Sequence, residues 1–203
     1  MKRLPVIFLV LFFSLPALSG GGDFLSRLHP GLEWGMSLTP TSFHHYNYLD
    51  ESIGFRINDE GWDYHSKLNA FVLGSLSFDV TRTFSVGILS GWQGVERSVR
   101  IIPLITRLSF FTSGSDDDGI FVYTDLGIAL NRFAKKTNFS QIGGGYRLML
   151  TPGYSLNIRI SSRIVYDRPD VWDPIEEDYI SERNIKRNDA WYCALNIGLS
   201  LEF

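Results

Sequence analysis

The residues best equipped for chemistry gather between positions 41 and 67, where His44, His45 and His65 lie among Asp50, Glu51, Asp59, Glu60 and Asp63. Imidazoles beside carboxylates bind zinc or move protons. Adjacent histidines, however, point to opposite sides of an extended chain, and no spacing here matches a zinc pattern. Solvated loop histidines are therefore the favoured reading, and neither a metal nor a cofactor is expected. A hydrolytic triad needs Ser, His and Asp at one place, yet His65 is followed directly by Ser66 and Ser162 has no histidine near it in the sequence. No catalytic residue is assigned. Gly143-Gly144-Gly145 does not open a helical pattern, so it is no phosphate loop, and it leaves room for a bulky neighbour such as Tyr123 or Tyr146 to pack across it.

The elements that must carry these residues follow from composition. A chain of 203 residues with 44% hydrophobic side chains is one domain of ordinary size. Its 19 Gly, 15 Phe, 9 Tyr and 5 Trp favour aromatic strands and turns over long helices. A net charge of -3 offers no basic field for a nucleic-acid partner. The single cysteine, Cys193, can form neither an internal disulfide nor a cysteine zinc site. Met1-Lys2-Arg3, an apolar run over 4–15 and Pro16-Ala17-Leu18-Ser19 have the three regions of a secretory signal peptide, with cleavage expected after Ser19. The apolar run is too short for a spanning helix. Residues 1–19 are thus expected to be a signal peptide, 20–31 a periplasmic N-terminal segment and 32–203 the folded domain.

That domain alternates. From Trp191 to Phe203 the odd positions read Trp, Cys, Leu, Ile, Leu, Leu, Phe, and the even ones are small or polar. Period-two patterning of this length is a strand with one apolar and one polar face. The same alternation predicts strands over 32–39, 68–78, 84–92, 102–111, 120–130, 141–150 and 154–167, with Phe71 and Leu73 blurring the second. The polar face is rich in Gly, Ser, Ala and Asn, residues suited to a crowded narrow interior. Short links alternate with long ones, the longest being 41–67 and 168–189, and aromatics such as Trp34, Trp92, Tyr154, Tyr166 and Trp191 sit near strand ends. These three features predict an all-β fold, an eight-stranded antiparallel up-and-down transmembrane β-barrel, with its apolar face toward lipid. Cys193 is then expected to face lipid.

The last strand, with Phe203 preceded by Leu201, Leu199, Ile197 and Leu195 at alternate positions, resembles the terminal strand of bacterial outer-membrane proteins. The whole mature pattern resembles small eight-stranded barrels of the OmpA/OmpX-like kind, in the style of porin-family barrels of the Bacteroidetes type. The resemblance implies a bacterial outer-membrane location with both termini periplasmic. It also implies lipid and lipopolysaccharide as surroundings, and recognition of Phe203, Leu201 and Leu199 by the barrel-assembly machinery. A monomer is expected, with an extracellular ligand that the sequence does not name.

Within such a barrel Glu33, Asp79, Arg107, Asp125, Arg147, Arg159, Arg163 and Glu202 face inward, where mixed charges are expected to pair. Tyr46, Tyr48, Trp62, Trp172 and Tyr179 fall in the two long links, where aromatic groups serve recognition or pack the loops onto each other. The function expected is a structural or surface-interaction role through loops 41–67 and 168–189. The alternatives are an outer-rim hydrolase of lipid or peptide, which would require one of its histidines, a narrow channel for small solutes, and a soluble barrel around an apolar ligand. Lipid A deacylase barrels carry a His-x-Ser arrangement on a strand, a spacing that His65-Ser66 lacks.

Overall fold

The computed structural model describes residues 25–51, 53–95, 100–131, 136–173 and 178–203; the expected signal peptide, 1–19, lies outside them. Eight long strands form the fold: β1 (Leu28–Asp50), β2 (Phe55–Thr81), β3 (Phe84–Gly94), β4 (Arg100–Phe111), β5 (Gly119–Asn131), β6 (Lys136–Thr151), β7 (Tyr154–Asp167) and β8 (Ile185–Glu202). Every neighbouring pair is antiparallel, and β1 pairs with β8 through Gly31 to Glu202 and on to Phe43 with Trp191, which closes the sheet into a barrel. Closure leaves the central sheet no open edge on which another chain could pair.

The burial pattern is inside out relative to a water-soluble protein. Over the twelve residues of β4, exposed and buried positions alternate without a break, with Ile102, Leu104, Leu108 and Phe110 exposed and Arg107 and Ser109 buried. On β7, Ile158, Ile160 and Ile164 are exposed while Asn157, Arg159, Ser161 and Arg163 are buried. On β8, Leu195, Ile197 and Leu199 are exposed while Asn196, Ser200 and Glu202 are buried. An apolar belt of this extent is untenable in water, and charges face the interior, so the surrounding medium is hydrocarbon. Aromatics bound the belt: Tyr154 meets Phe203 edge-on at 5.9 Å at one end, and Tyr166 meets Trp191 at 4.8 Å at the other. Tyr154 and Tyr166 are twelve residues apart. Twelve residues of strand run roughly 40 Å, or about 28 Å along the membrane normal at the tilt of membrane strands, close to the roughly 25 Å apolar band of such barrels. The molecule is a transmembrane β-barrel.

Three expected boundaries change. β1 starts at Leu28, so the last four residues assigned to the N-terminal segment already pair with β2. The region 41–67, expected as a loop, is mostly sheet: β1 runs on to Asp50 and β2 begins at Phe55. The continuation was concealed by a bulge. The register of β1 shifts between Leu38 and Thr41, where Pro40 cannot donate to the ladder, and the inward parity passes from Glu33, Ser37 and Thr39 to Ser42, Tyr48 and Asp50. Alternation counted from Leu32 fails at this point although the strand does not end. The second long link, 168–189, likewise contains the start of β8 and a two-stranded ribbon, Trp172–Asp173 with Asp178–Tyr179.

The belt yields a direct test. Ile160→Arg, in mid-strand on the outer face, is expected to destabilise the protein by about 2–4 kcal/mol in lipid vesicles, because an arginine at mid-membrane must leave water. Urea unfolding of the vesicle-refolded variant measures it, and an unchanged midpoint would contradict the lipid-facing assignment.

Candidate functional site

The interior is built around a chain of alternating charges. Arg107 on β4 donates through Nε and Nη2 to both oxygens of Asp125 on β5, each at 2.7 Å, and through Nη1 to Glu33 on β1 at 2.6 Å. Glu33 lies 3.1 Å from Arg159 on β7, and Arg159 Nη2 donates to Glu202 on β8 at 3.2 Å. Glu202 also accepts from Arg147 on β6, whose Nε reaches Asn157 Oδ1 at 2.9 Å. Asn157 Nδ2 closes back on Glu202 at 3.0 Å. Six of the eight barrel strands are thereby cross-linked, by residues the alternation had placed on one face but not beside one another.

Aromatic rings support the guanidinium planes. Arg107 lies 4.3 Å from the ring centre of Tyr123, Arg147 is 4.3 Å from Phe111, and Arg159 is 5.2 Å from Phe121. These contacts place the cations over π systems while their N–H groups meet carboxylates. Glycine makes the stack possible: a Cβ on Gly143 would come within 2.7 Å of Tyr123 Cζ, and one on Gly145 within 2.8 Å of Phe121 Cζ. Tyr123 is one of the two neighbours anticipated for that glycine run.

Chain segments occupy both ends of the lumen. In the β4–β5 turn Ser115 is buried and its carbonyl accepts from Arg147 Nη1 at 2.7 Å. Beyond β3 the buried Val95 offers its carbonyl to Thr39 Oγ1 at 2.6 Å and to Asn69 Nδ2 at 3.2 Å. Around Val95 an apolar cluster with Phe71, Leu73, Leu89, Ile101, Ile105, Phe139 and Val165 fills the half of the barrel farther from the short turns. Phe71 and Leu73, which blurred the alternation of β2, are inward residues of this cluster.

Two charged residues depart from the expected pairing. Asp79 lies outside the network, half-buried at the rim with its Oδ2 3.1 Å from His29 Nε2. Arg163 is fully buried yet reaches no carboxylate among the described residues; its Nη2 donates to Ser37 Oγ at 2.8 Å and to the Gly94 carbonyl at 3.3 Å.

Outside the belt, β1, β2 and the start of β8 form a three-stranded sheet. The expected binding aromatics do not converge there. Trp62 packs on Phe43 at 5.2 Å on the outer face, Tyr46 stacks on His44 at 5.1 Å, Tyr48 is buried, and Trp172 meets Tyr179 at 5.1 Å in the separate ribbon. The histidines are held by acids across the strands. His44 Nδ1 lies 2.9 Å from Asp63 and its Nε2 3.4 Å from Asp59, while His45 Nδ1 is 3.3 Å from Glu60. With a carboxylate at each ring nitrogen, His44 presents neither to a hydroxyl nucleophile. Just beyond Trp191, Asp189 accepts from Tyr166 Oη and Arg187 Nε, each at 2.5 Å. Burial pushes its carboxyl pKa up, but these hydrogen bonds and the Arg187 and Arg168 charges outweigh it and hold it below the ordinary range.

No family model matches the chain, and no curated protein matches its sequence. Among solved structures the chain is similar to the outer membrane protein OprG from Pseudomonas aeruginosa, at TM-score 0.49 and 10% identity over 86% of this chain and 95% of that one. It is similar also to Neisserial surface protein A (NspA), at TM-score 0.45 and 8% identity over 87% and 97% of the two chains. A de novo designed transmembrane β-barrel gives TM-score 0.41 and 10% identity over 86% and 95%. The barrel assignment stands on this chain's own strands and faces.

The lumen chain predicts a large and specific cost. Arg107→Met leaves Asp125 without its bidentate partner and deprives Glu33 of its shortest contact, and is expected to destabilise the refolded barrel by about 3–5 kcal/mol. The double variant Arg107→Met with Asp125→Asn should recover part of that loss, read from urea midpoints of the three proteins.

Proposed function

We propose that this protein is a closed barrel of the bacterial outer membrane, with both termini on the periplasmic side, whose role is to hold a rigid sheet above the membrane for surface interaction. The observation that carries the reading is the continuation of β1 and β2 past the apolar belt. On β2 the outward apolar series ends at Leu68, and the strand goes on to Phe55. That is about 40 Å of further strand, far more than joining two barrel strands requires. Its surface mixes exposed aromatics, Phe55, Trp62 and Tyr64, with Arg56, Asp59, Glu60 and Asp63. Such amphipathic groups on a preorganised backbone bind at low entropic cost. The last link braces the sheet: Asn184 Nδ2 donates to Glu51 Oε1 at 2.6 Å, and Asn188 Nδ2 to the Pro169 carbonyl at 3.0 Å.

The lumen supports a closed anchor in preference to a channel, because the paired charges, the stacked rings and the apolar cluster leave side chains throughout the bore. The hydrolase alternative has no support from His44, whose ring nitrogens are both taken by acids.

Orientation is tested by epitope insertion at two glycine turns, Gly54 at the hairpin tip and Gly153 between β6 and β7, where positive φ angles and open space tolerate it. A tag at Gly54 should be labelled on intact cells, and one at Gly153 only after permeabilisation; the reverse would invert the topology. Replacing residues 44–61 with Asn-Gly should leave a folded barrel while lowering adhesion of expressing cells to protein-coated surfaces. Steady unitary conductance of the wild-type protein in planar bilayers would overturn the closed lumen.

A further inference from the structure

One inward-facing cation of the membrane-spanning part has no ionic partner among the described residues. Arg107, Arg147 and Arg159 are joined to Glu33, Asp125 and Glu202. Asp79, the fourth inward carboxylate, is held apart at the rim by His29, and Arg163 is left without a carboxylate. Its side chain is fully buried; Nη2 serves Ser37 and the Gly94 carbonyl, while Nε and Nη1 are buried without a hydrogen-bond partner. The residues level with it are neutral, Gln141 on β6 and Ala194 on β8. Farther along β7 the next buried acid, Asp167, is four residues on, roughly 13 Å of strand away, with Val165 between them and the Arg168 amide already donating to it at 2.8 Å.

A water molecule can accept from a guanidinium, but it cannot neutralise one. An isolated charge in a low-dielectric interior costs several kcal/mol even after relaxation, and a counter-charge removes most of that. We propose that the lumen holds one small monovalent inorganic anion, of chloride or bromide size, on Nε and Nη1 of Arg163. One unpaired guanidinium sets the valence. Side chains fill the bore, the fully buried Val95 and Val165 among them, and this favours a small ion over a phosphate or an organic carboxylate. The Ser37 hydroxyl accepts from Arg163 Nη2, and its own O–H is a neutral donor beside the guanidinium. The anion pairs with Arg163 and fixes it, which in turn fixes the Gly94 carbonyl beside the Val95 plug.

The test uses the full-length barrel refolded in detergent. Crystals grown in sodium bromide should show an anomalous peak within hydrogen-bond distance of Arg163 Nε or Nη1. In solution the urea midpoint should be higher in sodium chloride than in sodium gluconate at equal ionic strength, and Arg163→Gln should abolish that difference. Should the glutamine variant fail to fold, Arg163→Lys keeps the charge and is expected to retain a reduced chloride response. Bromide found only at the protein surface, water alone beside Arg163, or a chloride effect undiminished in Arg163→Gln would each overturn the proposal.

Discussion

A narrow barrel in a membrane must satisfy its interior without bulk water. Eight strands enclose a bore that side chains fill, and a charge placed there is costly unless another meets it. The series Asp125, Arg107, Glu33, Arg159, Glu202, Arg147 answers this with alternating sign, each arginine touching at least one acid. Its members come from β5, β4, β1, β7, β8 and β6, so the network also fixes the relative register of strands that do not pair directly. The stacked Phe111, Phe121 and Tyr123 rings depend on it, and so do the glycines that make room for them. Glu202, on the last strand of the barrel, accepts from two of these arginines and from Asn157, so the closing strand takes part in the central interaction.

The second organising feature is the bulge at Pro40. A proline inside a paired strand removes a donor, and the ladder accommodates it by inserting a residue. The shift exchanges the faces of β1 at the height where the barrel leaves the apolar belt. Below it, Leu32, Trp34, Met36 and Leu38 face lipid; above it, Phe43 continues the outer face beside Trp62 and Trp191. One strand thus serves two environments, lipid-facing along its first half and part of a freestanding sheet along its second. The His44 and His45 contacts to acids on β2 belong to that second environment, where they act as cross-strand polar pairs.

Closure of the lumen and extension of the sheet support the same functional reading. The bore is occupied by Ser115 at one end and by Val95 with its apolar cluster at the other, while the elaborated surface lies outside the belt. The lipid-facing wall is made of aliphatic and aromatic residues without polar specificity, and the specific polar contacts lie in the lumen and the outer sheet.

Strand identity and the lipid-facing wall were legible in the sequence because each depends only on whether a residue is odd or even along its own strand. The eight-strand count, the apolar positions of β4, β7 and β8 and the inward set of charges all follow from that rule. Partner choice was not legible. Glu33 and Arg107 are 74 positions apart and Arg163 and Ser37 are 126 apart, and only closure of β1 on β8 with the resulting stagger brings them within reach. The same holds for the sheet outside the belt, since a single inserted residue at Pro40 turns a continuing alternation into the semblance of a loop. Sequence periodicity records which way a side chain points, whereas the shear of the closed barrel decides what it meets there, and that second quantity is set by all eight strands at once.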